Sequence, residues 1–80
     1  MDDVQKRLTK CFQVVFPDLP PAEIPKARQE SVAAWDSVAG ITLLNVIEEE
    51  FQIEIDLEFA ADLDSYERVR EYVTPLVNAA

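Results

Sequence analysis

The chain has no histidine and a single cysteine, and most catalytic chemistry leaves with them. Without an imidazole there is no Ser/His/Asp triad, and one thiol can neither assemble a zinc site nor close an internal disulfide. Cys11 falls at an apolar position of the first predicted helix, where a packed, inert thiol is expected. Glycine is down to Gly40. The acidic stretch Asp56, Glu58, Asp62 and Asp64 therefore lacks the glycine and the ordered ligand spacing of a calcium loop, and no metal site is expected. No run of about eighteen apolar residues exists to cross a membrane. Met1-Asp2-Asp3 is not the basic opening of a signal peptide, so a cytoplasmic location is expected. Basic residues are nearly missing beyond residue 34. The first 34 residues balance five acids (Asp2, Asp3, Asp18, Glu23, Glu30) with five bases (Lys6, Arg7, Lys10, Lys26, Arg28), and the other eleven acids face only Arg68 and Arg70. The net charge of −9 thus sits in the second part. That field repels nucleic acid and anionic membrane and attracts basic protein surfaces, although solubility alone would also account for it.

What is present suits a single small all-α domain spanning residues 1–80. A hydrophobic content of 49% with clear periodicity supports folding at a size where core burial is marginal. Asp3 is a plausible N-cap for a first helix over about 3–16, which carries Val4, Leu8, Cys11, Phe12 and Val15 at helical spacing and stops before Pro17. Four prolines (Pro17, Pro20, Pro21, Pro25) predict a long connection over 17–36, with Leu19, Ile24 and Val32 to pin it. Trp35 can fold over the next helix as a hydrophobic staple. Ile53, Ile55, Leu57 and Phe59 alternate with acids as in a strand, but a lone strand has no partner. An extended link and a short helix over about 57–61 are therefore expected. Asp64-Ser65-Tyr66-Glu67 reads as a capping box, with Asp64 the cap, for a last helix over about 65–77. Pro75 should fray or end that helix and leave 78–80 loose. The architecture expected is a four-helix bundle with three longer helices and one short one.

The chain is organised around Trp35 to Phe51. Asp36 can accept the first-turn N–H groups and places Ser37 at the first helical position, its hydroxyl outside the bundle. Leu43, Val46, Ile47 and Phe51 form one stripe facing a core. Val38 and Ile41, with Asn45, Glu48 and Glu49, point the other way. Gly40 costs about 1 kcal/mol relative to alanine in a helix, which close packing against a neighbouring helix would explain. Glu50 points towards the core stripe but can reach water at the helix end. The second stripe fits either a helix buried on two sides or a docking face beside an exposed serine. Ser37 has no visible base to activate it, so an enzymatic nucleophile is not expected.

Asp36-Ser37-Val38, Leu43 and then Glu48-Glu49-Glu50-Phe51-Gln52-Ile53-Glu54-Ile55 resemble, in order and spacing, the Asp-Ser-Leu helix of acyl carrier proteins and its continuation. The similarity covers about Trp35 to Val73. The resemblance implies that the chain is not an enzyme but a monomeric carrier. Its Ser37 would be esterified by 4′-phosphopantetheine, transferred from coenzyme A by a phosphopantetheinyl transferase. The arm's thiol would carry acyl groups as thioesters to partner enzymes of fatty acid, lipid or specialised acyl metabolism. A phosphate at a helix N-terminus is electrostatically well placed. Val38 and Ile41 would then form a recognition patch, and Asp36, Glu48, Glu49 and Asp56 would meet basic residues on acyl-transferring or acyl-ligating partners, with no membrane insertion. A long acyl chain would enter the bundle between the helices.

The chain departs from the family pattern at three places. Ala39 and Thr42 stand where many such carriers have acids, Asn45 where an apolar residue is common, and Glu23-Ile24-Pro25 with the Trp-Asp-Ser entry resembles specialised, stand-alone members. Two other readings compete: an unmodified acidic helical interaction module of the same shape, and an aminoacyl or peptidyl carrier. The latter usually enters its serine through Gly-Gly-x-Ser, where this chain has Ala34-Trp35-Asp36-Ser37.

Overall fold

The computed structural model describes residues 2–79 and contains three α-helices, α1 (Asp3–Val15), α2 (Ser37–Phe51) and α3 (Tyr66–Ala79). Two 3-10 helices, Pro21–Lys26 and Leu57–Asp62, lie in the connections. Among the described residues there is no strand, only an isolated bridge between Arg28 and Ser65 that ties the first connection to the start of α3.

α1 starts where expected, but its cap is Asp2, one residue earlier than Asp3. The Asp2 carboxylate accepts from the Gln5 N–H at 2.8 Å, and the Gln5 side chain accepts from the Asp2 N–H in return. A side-chain acceptor reaches the third helical N–H, which is why the residue outside the first turn wins. Helix α1 ends at Val15, and the Phe16 N–H still bonds the Phe12 carbonyl.

The proline-rich connection is more regular than a plain loop. Pro21 opens the Pro21–Lys26 helix. Its fixed φ and missing N–H suit a first turn, which has no donor to lose. Ile24 pins the segment in the core.

The core gathers Leu8, Cys11 and Phe12 from α1, Leu43, Leu44 and Ile47 from α2, and Tyr66, Val69 and Val73 from α3. Leu44, outside the expected stripe, is fully packed, while Val46 is only half-buried. Phe12 touches Phe16, Trp35 and Tyr66 with ring centroids 6.2, 5.5 and 5.2 Å away, so one aromatic cluster joins α1, the connection and α3.

Two expectations about α3 fail. Ser65, not Asp64, caps it: the Ser65 hydroxyl oxygen accepts from the Arg68 N–H. Asp64 instead gives its carbonyl to the Gln29 N–H and its carboxylate to Arg68. Pro75 does not end the helix, which runs to Ala79. Proline in the last turn forfeits one hydrogen bond, to the carbonyl of exposed Glu71, and the remaining turn is short enough to bear it. The looseness expected at Ala80 lies outside the described residues.

Candidate functional site

The site is the N-terminal end of α2. Asp36 caps it as the sequence indicates, its carboxylate accepting from the Ala39 N–H at 2.8 Å. The Gly40 N–H reaches the Asp36 carbonyl. Ser37 opens the helix and is exposed. Within the described residues, the backbone N–H groups of Ser37 and Val38 have no protein acceptor, as expected at a helix start.

The hydroxyls of the chain differ in one respect that singles out Ser37. Ser31 donates to the Arg28 carbonyl, Ser65 accepts from Arg68, Thr42 donates to the Val38 carbonyl, and Thr74 donates to the Arg70 carbonyl. Thr9 lies 3.4 Å from the Tyr66 hydroxyl. Ser37 alone makes no such bond among the described residues, so its Oγ is open to an approaching reagent.

Around it the apolar side chains divide sharply. Trp35 is 3% exposed, whereas Val38 is 74% and Ile41 47% exposed. Leu57 and Phe59 on the short 3-10 helix are also exposed, Phe59 leaning on Tyr72 with centroids 5.6 Å apart. The alternating pattern at 53–59 hinted at these two residues without saying which side of the fold they would take. Of the expected carboxylates, Asp36, Glu49 and Asp56 are exposed. Glu48 is half-buried, and one of its oxygens accepts from the Ile55 N–H at 2.9 Å. Asp56 accepts from the Glu58 N–H and so starts the Leu57–Asp62 helix. The expected site residues therefore share the outer side of α2 and the segment after it, but Glu48 and Asp56 have structural duties as well.

A half-open groove of about 300 Å³ begins at Ser37. Asp36, Gly40 and Ile41 line it from α2, Trp35 from the entry, Ala60, Ala61 and Leu63 from the opposite side, and Gln29 from the first connection. Gly40 is spent here and not, as expected, on a neighbouring helix: a Cβ added to it would lie 3.4 Å from Trp35 Nε1. Trp35 folds onto the bundle as expected, but Gly40, at the fourth helical position, has no apolar side chain to meet it, so no hydrophobic staple is formed. Gln29, Ala60 and Ala61 were not foreseen, because three chain segments meet only in the fold.

The opposite end of α2 is tied down. The Arg7 guanidinium bonds the Glu50 carboxylate at 3.0 Å and the Glu50 carbonyl, and lies 4.5 Å from the centre of the Phe51 ring. Glu50 is thus paired, and with 32% of its side chain exposed it also reaches water as expected. Gln52 turns the chain with φ 54° and bonds the Glu49 carbonyl. Beneath, burial pushes the Cys11 thiol up to about 11, with the Glu50 carboxylate adding to the effect.

No helix among the described residues is long and apolar enough to cross a membrane, and no cluster of metal-binding side chains is found among them. Comparison with family models, with curated proteins and with solved structures returned no match.

Proposed function

We propose that this chain is an acyl carrier protein of four-helix type, in which Ser37 is the attachment point for 4′-phosphopantetheine. The observation that carries the reading is the Ser37 hydroxyl, exposed at the first position of α2 and without a hydrogen bond, in a sequence context that resembles the carrier motif. The residues fit the group. A phosphate ester on Ser37 would stand beside the unpaired N–H groups of Ser37 and Val38 and the positive end of the helix, while Asp36 occupies the Ala39 N–H. When bound, the arm supplies a thiol that holds an acyl group as a thioester.

Attachment forms an ester bond from the Ser37 oxygen to the phosphorus of coenzyme A's pantetheine phosphate and breaks the phosphoanhydride. Adenosine 3′,5′-bisphosphate leaves, and the hydroxyl proton passes to a base of the transferase, since this chain offers no imidazole. Val38 and Ile41 give partners an apolar foothold. Asp36, Glu49, Asp56 and the open oxygen of Glu48 give basic partners a counter-charge. Such contacts favour fast, salt-sensitive, transient association.

Co-expression with a phosphopantetheinyl transferase, followed by intact mass measurement, tests the reading. The wild-type chain is expected to gain one arm and Ser37→Ala none. A wild-type chain that gains nothing favours the unmodified interaction module.

A further inference from the structure

Trp35 is buried at 3% exposure, yet its indole N–H has no hydrogen-bond acceptor among the described residues. Among the described residues no buried polar side-chain atom is both sealed from solvent and unpartnered, so Nε1 keeps an opening. Trp35 lines two recesses, the groove at Ser37 and a second one with Arg28, Gln29, Glu30 and Asp64; Gly40 lines only the first, and a Cβ on it would lie 3.4 Å from Nε1, which places the indole N–H on the Ser37 side. The ring has nowhere to retreat, because Phe12 and Phe16 each stand with centroids 5.5 Å from it.

We infer that the Trp35 indole N–H donates a hydrogen bond to a carbonyl oxygen of the group tethered at Ser37, so that the groove favours an oxygen-bearing group over a plain alkyl one. The inference rests on the carrier reading of Ser37. A plain alkyl chain laid across Nε1 would strip water from the donor without replacing its bond, whereas an oxygen-bearing group restores it. Size agrees. A cavity of about 150 Å³ takes one benzene, so a groove of about 300 Å³ suits on the order of a dozen non-hydrogen atoms.

The chain has one tryptophan, so its indole N–H gives a single assignable signal in ¹⁵N-labelled protein. The signal is followed in two preparations: protein armed at Ser37 with 4′-phosphopantetheine, and Ser37→Cys coupled directly to short amide-bearing or to hexadecyl reagents. The short oxygenated groups are expected to move the indole proton downfield and slow its exchange with solvent about tenfold, and the hexadecyl groups to leave it unchanged. Gly40→Ala, which favours the helix and covers Nε1, is expected to abolish the effect. An indole signal indifferent to the short group on the Ser37→Cys conjugate, or protected as well by the hexadecyl chain, overturns the inference. Refusal of the arm by Ser37 overturns the carrier reading instead, and the conjugates still decide the role of Trp35.

Discussion

The two ends of α2 are built in opposite ways. At Phe51 the helix is held by Arg7, by the Glu48 carboxylate on the Ile55 N–H and by a left-handed turn at Gln52. At Ser37 one capping carboxylate holds the backbone, and the side chains of Ser37, Val38 and Ile41 are left in water. Exposed apolar groups and an unbonded hydroxyl add little stability at the open end; under the proposed function they are what the partner and the arm would meet. The closed end fixes the helix, and with it the direction in which the open end faces.

If this contrast holds, truncations should sort by end and by depth. The largest effect is expected at the aromatic cluster behind the site. Trp35→Ala should cost about 3–5 kcal/mol, while Val38→Ala, three residues on, should stay within about 0.5 kcal/mol. Urea unfolding of the two variants measures both. A comparable loss from each would erase the distinction between buried entry and open face. At the closed end, Arg7→Ala should cost about 1–2 kcal/mol, less than a fully buried pair because both partners are partly solvated. At the open end, Asp36→Ala should cost about 1 kcal/mol through loss of the cap.

Another effect is one of pH. The folded chain holds the Cys11 proton more tightly than the unfolded chain does, since burial raises the thiol from 9.0 to about 11. The resulting stabilisation is present below pH about 9 and fades as pH rises through about 11. Chemical denaturation between pH 8 and 11 should show stability declining in the wild type and a shallower decline in Cys11→Ala.

Much of this was legible in the sequence because it is local. The apolar spacing of α1 and α2 and the Asp36 cap depend on residues within a few positions of one another. The cap of α3 was misread because Asp64 and Ser65 are both competent caps and only the backbone path decides between them. The Pro21–Lys26 helix hid in a segment with no sustained period, and Pro75 reads as a stop unless the helix is known to have little left to run. The groove was invisible for another reason. Gln29, Trp35 and Ala60 come together through packing, and the only local trace of it was a glycine one turn after a tryptophan.

The most direct measurement is to incubate the purified chain with a phosphopantetheinyl transferase and coenzyme A and to locate the added mass by peptide fragmentation. The arm is expected on Ser37 alone, with Ser31 and Ser65, whose hydroxyls are already bonded, unmodified. An arm on either of those serines, or on none, would contradict the account.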